Sequence, residues 1–180
     1  MLNYLKQIED DTTYYSYLSY LKKKQIVDVY YSRLPQYPPM RHFQQCVYEC
    51  DMLQWCIENQ EIADYHLRKK AMFAERRYAY ESEKYVVKVP RSVREILSES
   101  EKQHNCLYSY LARLVWSSEA ESIILFIREK DRPDESLITM EIEDERIVGQ
   151  AYAAFNKPLN EEEREFLMRY MELKNLMFEE

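Results

Sequence analysis

A chain of 180 residues with 46% hydrophobic side chains is long enough to bury a core, and a formal charge of −7 sets it against free nucleic acid as a default partner. A single glycine, Gly149, stands where average usage of about 7% predicts roughly a dozen, which excludes a P-loop and a dinucleotide-binding fingerprint. Cys46, Cys50, Cys56 and Cys106 form no CxxC pair, so neither a zinc ribbon nor a disulfide framework is predicted, and the thiols are expected reduced.

The opening stretch MLNYLKQIEDD carries acids where a signal peptide needs a basic start, and no apolar run approaches the roughly 20 residues that span a bilayer. A soluble, cytoplasmic chain with no membrane partner is expected. Residues 12 to 34 repeat apolar side chains at Tyr14, Leu18, Leu21, Val29 and Tyr30, predicting a helix capped by Asp10, Asp11 or Thr12 and stopped by Pro35, Pro38 and Pro39. From Met40 to Glu81 neither proline nor glycine interrupts a helical pattern, with Phe43, Val47, Leu53, Ile57, Ile62, Leu67 and Phe73 as buried positions. One long helix or two joined near Asn59 would fit. Thirteen of the 17 tyrosines precede residue 86, which marks residues 1–83 as a Tyr-rich helical region.

Tyr85 to Val89 is short and β-branched and is ended by Pro90, so it reads as a strand. Ser92 with Glu95 makes a capping box for a short helix through Ile96 and Leu97, and Asn105 can cap another whose stripe is Leu107, Leu111, Leu114 and Val115. Ser122 to Arg128 is apolar on both faces, as a central strand requires, whereas Leu137 to Ile142 alternates and places Thr139 and Glu141 on a polar side. Glu143 to Glu145 turns into Arg146 to Tyr152, completing a three-stranded meander. Asn160 with Glu163 opens a last amphipathic helix carrying Phe166, Leu167, Tyr170, Met171, Leu173 and Met177. The expected fold is α+β: an N-terminal helical arm, then a unit over residues 84–180 in which short helices and the C-terminal helix pack a small, mainly antiparallel sheet.

The segment from Lys84 to Asn156 carries an ordered set of polar signals: EKQHNCLYSYLARL, then IILFIREK, LITMEIED and GQAYAAFN. It resembles the PcfJ-like family, carried on conjugative plasmids and phages, whose hallmark is a His-Cys element followed by an I-L-F-I-R strand, a T-L-E strand and a Q-x-x-G-x-x-N segment. His104, Cys106, Tyr110, Arg128, Thr139, Glu141, Gln150 and Asn156 match this set. The resemblance implies no catalytic activity of its own. Asn105 stands where the family usually has a second histidine, and Tyr108 and Ala153 stand where it usually has glycine, each departure removing a proton carrier or backbone freedom.

His104 and Cys106 are the candidate catalytic pair, since a thiol in the first turn of a helix feels unpaired amide donors that lower its pKa. The structural alternative buries Cys106 as a small core residue, uses His104 to tie the helix start to the sheet, and expects Cys106→Ala to cost about 1 kcal/mol or more in lost packing. Arg128 is placed to pair with Glu141 at the end of the sheet. His42, Cys46 and Cys50 recur every four residues but span about 12 Å of helix, too far for one ion, so a core stripe is the reading and neither metal nor cofactor is predicted. Arg68, Lys69, Lys70, Arg76 and Arg77 can follow a phosphate backbone, although interleaved Glu75 and Glu81 also fit a solvated face. Tyr14, Tyr15, Tyr17, Tyr20, Tyr30 and Tyr31 supply aromatic area for self-association or a partner.

Residues 84–180 hold 14 basic against 20 acidic side chains, whereas residues 1–83 hold 11 against 12. The functional expectation is a non-enzymatic accessory protein of a mobile element that binds another macromolecule, foremost a protein, and in one form inhibits a host defence complex by presenting acidic surface. The alternatives are an enzyme using Cys106 with His104, and a nucleic-acid-binding module using the helix from Arg68 to Arg77.

Overall fold

The computed structural model describes Tyr4, Ile8, residues 11–118 and residues 121–178. It divides into two compact units, Met1–Gln60 and Glu61–Glu180, whereas the sequence suggested a boundary after residue 83. The fold is α+β. Among the described residues no helix is long and apolar enough to cross a membrane.

The first unit packs α1 (Asp11–Val27) against α2 (Phe43–Glu58). The first helix stops at Val27 rather than near residue 34, and Asp10, Asp11 and Thr12, as capping side chains, lie outside the described residues. Its buried stripe is also displaced from the expected one. Tyr17, Tyr20, Lys24 and Val27 are buried, while Tyr14, Leu18, Val29 and Tyr30 are exposed. The cause is the phenol hydroxyl: Tyr20 donates to the Pro35 carbonyl at 2.6 Å and Tyr17 to that of Gln36 at 3.2 Å. The proline-rich turn after α1 thus gains donors for its own unpaired carbonyls, and the rings fill the space beneath Phe43. Lys24 is buried with both oxygens of Asp28 at 2.6 Å.

The helical run after Met40 breaks at Asn59, giving α3 (Gln60–Tyr78). In the second unit β1 (Tyr80–Glu81), β2 (Tyr85–Lys88), β3 (Ile123–Glu129), β4 (Ile138–Glu143), β5 (Ile147–Tyr152) and β6 (Met177–Phe178) form one sheet in chain order. Every pairing is antiparallel except β5 with β6. The sheet is wider than the expected meander because both edges are two-residue strands too short to show a period. Met177, expected on the last helix, lies on β6: α6 (Glu161–Lys174) is closed by Asn175 in a left-handed conformation, which sends the chain back alongside β5.

Ile123 to Ile127 is buried throughout and β4 pairs beside it. Alternation along these strands gives the sheet two unlike faces. Ile123, Leu125, Ile127, Ile138, Met140, Ile142 and Val148 pack with Ala71, Ala74 and Tyr78 of α3 and with Leu167, Tyr170 and Met171 of α6. The opposite face carries Phe126, Arg128, Thr139, Glu141 and Gln150, and meets α4 (Val93–Gln103), the short turn Leu107–Tyr110 and α5 (Leu111–Trp116). Both predicted capping boxes form, Ser92 with Glu95 and Asn160 with Glu163. Asn105 accepts from the Leu107 amide at 3.1 Å, so it caps the short turn ahead of α5.

Gly149 is the extra residue where the β4–β5 register slips, and a Cβ there would lie 2.6 Å from a Glu143 carboxylate oxygen.

Buried tyrosines carry a pH consequence. Burial raises the Tyr4 hydroxyl to about 12 and pushes those of Tyr17, Tyr78 and Tyr170 up as well. The folded chain therefore keeps protons that the unfolded chain releases near pH ~10, so stability falls as pH rises beyond that point. Urea denaturation is expected to show a midpoint that holds between about pH 7 and 9 and drops above about pH 10; a flat profile to pH ~11 would contradict these burials.

Candidate functional site

The polar face of the sheet is organised around two buried carboxylates. Glu99, on α4, is 2% exposed and accepts from Arg128, from Ser136 Oγ at 2.6 Å and from Thr139 Oγ1 at 2.9 Å. Glu141, on β4, is likewise 2% exposed and accepts from Arg113, from Ser122 Oγ at 3.1 Å and from Gln150 Nε2 at 2.8 Å. Gln150 Nε2 also reaches the Tyr110 hydroxyl at 2.8 Å, and the Arg113 guanidinium lies 4.9 Å from the centre of the Tyr110 ring. Burial, and then the charge of Glu141, pushes the Tyr110 hydroxyl up.

Six of the residues matched from sequence are thus accounted for unevenly. Arg128 and Thr139 belong to the Glu99 centre, and Tyr110, Glu141 and Gln150 to the second. The expected Arg128–Glu141 pair does not form. Glu141 sits opposite Ile124, four residues before Arg128 on β3, and four strand residues cover roughly 13 Å. Asn156 stands apart, exposed, in a left-handed turn with Phe155.

His104 closes α4 at φ 52°, and its ring stacks on Phe155 with centroids 4.2 Å apart and planes 8° from parallel. Cys106 is exposed and precedes a four-residue 3-10 turn. Both parts of the structural alternative are therefore corrected: the thiol is not core, and the imidazole holds a neighbouring loop instead of tying a helix start to the sheet. Nor does Cys106 occupy the first turn of an α-helix. The two glycine replacements cost nothing here, since Ala153 is extended at φ −80° and Tyr108 lies inside the 3-10 turn.

The chain belongs to the PcfJ-like protein family, which matches residues 39–167 and so takes in α2 and α3 as well as strands β1 to β5. No curated protein and no solved structure matches the chain.

The remaining sequence candidates separate. Of the basic row, Lys70 is buried on the same side of α3 as Leu67 and Ala74. Its ammonium donates to Ser117 Oγ and the Ser118 carbonyl, both at 2.8 Å, and to the Glu121 carbonyl. Arg77 pairs with Glu145. Arg68, Lys69 and Arg76 stay exposed. Tyr17, Tyr20 and Tyr31 are core, whereas Tyr14, Tyr15 and Tyr30 face solvent. The stripe of His42, Cys46 and Cys50 runs from an exposed imidazole to a buried thiol whose Sγ lies 4.0 Å from the Tyr20 carbonyl.

Glu99, Arg113, Ser122 and Ser136 were missed from sequence. The signal for Glu99 was present: Ile96, Glu99, Ser100 and Gln103 share the buried stripe of α4, where three polar residues replace apolar ones. Gln103 is fully buried and its amide has no protein partner among the described residues.

A carboxylate already holding three donors offers a substrate little, so these centres position helices. Glu99→Ala is expected to lower unfolding free energy by about 3–5 kcal/mol, because Arg128 is left buried and unpaired. Glu99→Leu with Arg128→Met should recover most of that loss in the same denaturation assay. For the thiol, iodoacetamide should label Cys106 first and Cys50 last, since burial pushes the Cys50 thiol up to about 12. Cys106→Ala should cost less than about 0.5 kcal/mol.

Proposed function

We propose that the chain is a non-enzymatic accessory protein that works by binding another protein, and that it docks through the uncovered face of α1. One observation carries this reading: α1 is apolar on two opposite sides, and only one is covered. At 100° per residue, Tyr15, Leu18 and Ile26 lie opposite Tyr17, Tyr20 and Val27. They are 69%, 37% and 41% exposed, with Tyr14 against Tyr15 and also in solvent. Tyrosine gives large contact area for little rotamer entropy and brings a hydroxyl to a polar rim, which is why interfaces are enriched in it.

The other readings find less support. The matched polar set spends its hydrogen bonds internally, His104 is engaged by Phe155, and the basic row on α3 is interrupted by a buried lysine and a paired arginine. The setting that the family resemblance implies is a plasmid or phage. Inhibition of a host complex by the acidic second unit is a narrower form of the same binding reading.

A triple variant, Tyr15→Lys, Leu18→Glu and Ile26→Lys, changes exposed side chains only and should keep the wild-type melting temperature. Affinity purification from the native host is expected to recover a stoichiometric protein with the wild type and to lose it at least about tenfold with the variant. Equal recovery by both would overturn the assignment of this face. Concentration-dependent doubling of mass in light scattering, abolished by the same variant, would make the partner a second copy.

A further inference from the structure

Among the described side chains the outer side of α1 carries one charge, and it stands in the middle of the exposed stripe. At 100° per residue Lys22 projects about 20° from Tyr15, and about 6 Å of helix separates it from Leu18 before it and from Ile26 after it. Leu18, Lys22 and Ile26 therefore line up on successive turns. Lys22 is exposed, whereas the two lysines that follow it are spent: Lys23 pairs with Asp51 at 2.7 Å and Lys24 with Asp28 at 2.6 Å. Among the described residues Lys22 joins no ion pair, and Ser19 and Gln25, which border it on the same exposed side, are uncharged.

A second copy of the chain is the simplest partner for such a stripe, and Lys22 opposes it. Two copies that pair through one surface do so about a two-fold axis, so every contact is made twice, once in each direction. Run antiparallel, the pairing that sets Leu18 on Ile26 in both directions sets Lys22 on Lys22. Run parallel, the two helices again set Lys22 on Lys22. Either way two ammonium groups meet as water leaves, with no carboxylate of α1 between them, and that selects against the self-match. A lone charge inside an apolar seam fixes partner choice in this manner at a cost in stability.

We infer that α1 takes a helix of a different protein, whose own apolar stripe is interrupted by one glutamate or aspartate where it crosses Lys22. This rests on the docking face proposed above and narrows its partner. A carboxylate there accepts a charge-assisted hydrogen bond from the ammonium, while the methylenes of the lysine stem stay against the apolar neighbours. The stripe from Tyr15 to Ile26 covers about three turns, or about 17 Å, which sets the length of helix it can hold. A single cation gives little purchase on nucleic acid, where affinity grows with the number of phosphates neutralised.

Three measurements on the full chain test this. In light scattering, wild type is expected to stay monomeric, while Lys22→Leu, which makes the stripe continuous, should dimerise at least about tenfold more tightly than wild type. In affinity purification from the native host, Lys22→Glu should lose the partner at least about tenfold and Lys22→Arg less than about threefold. Carbodiimide, which joins an amine directly to a carboxylate, should link Lys22 to an aspartate or glutamate on a helix of the recovered protein. Wild type that dimerises as tightly as Lys22→Leu, a Lys22→Leu chain that stays monomeric at millimolar concentration, or a partner kept by Lys22→Glu and lost by the triple variant would overturn this inference and leave the docking face standing. A partner kept by the triple variant would overturn both. Lys22 is exposed, and unchanged thermal melts confirm that each variant is folded.

Discussion

The second unit depends on a buried carboxylate that faces the sheet from a helix. Glu99 draws Arg128 from β3, Thr139 from β4 and Ser136 from the loop between them to one point on α4. Removing a charge from water costs several kcal/mol, and the cost is offset only when the partner and the remaining lone pairs are all satisfied. That requirement leaves α4 little freedom to slide or rotate over the sheet, which an apolar face would permit. Glu141 sets the same condition on the other side, where Arg113 and Tyr110 bring the start of α5 to β4 and β5. The packing on the opposite face is mainly apolar, with the Tyr170 hydroxyl donating to the Tyr78 carbonyl at 2.6 Å. The polar face supplies register.

This division explains what could be read from the amino acids alone. The central strand, its neighbour and the two capping boxes each rest on local pattern, and local pattern survives folding. Pairing partners do not show locally. Thr139 and Glu141 were visible as one polar strand face, but which cation answers which carboxylate depends on strand register and on helices whose polar core positions resemble surface positions in a linear sequence. Glu99 is such a case, because its neighbours Glu95 and Glu101 give the same letter on the solvent side. The edge strands β1 and β6 were illegible for another reason: two residues cannot display a period.

The first unit was misread for a physical reason rather than a statistical one. Counting tyrosine as simply apolar puts Tyr14, Leu18 and Tyr30 inward, yet the helix turns Tyr17 and Tyr20 inward, where their hydroxyls meet main-chain carbonyls of a proline-rich turn. Prolines donate no amide, so such a turn is rich in unmatched acceptors, and a buried phenol answers them while a leucine cannot. The leucine is left outside. An apolar outer face on α1 is therefore a consequence of how the inner face was chosen.

Scarcity of glycine shapes the rest of the second unit. Left-handed backbone is taken up by His104, Ser122, Asp144, Glu145, Phe155, Asn156 and Asn175, and none of these positions is glycine. Asparagine and aspartate tolerate that conformation, but a bulky side chain at positive φ costs about 1–2 kcal/mol. Two of the costly cases, His104 and Phe155, meet in one exposed stack, with the loop closed by the Ala153 amide donating to the Lys157 carbonyl at 3.1 Å. Strain of this kind persists only where surrounding contacts over-determine it. Here the contact is the stack itself, which fastens the end of α4 to the loop after β5. The helix that carries Glu99 is thus held at its start by a capping box, in its middle by a buried ion pair and at its end by two aromatic rings. The strained stack is the third of these restraints, and it ties the end of the helix to the loop after β5 without a hydrogen bond between the two rings.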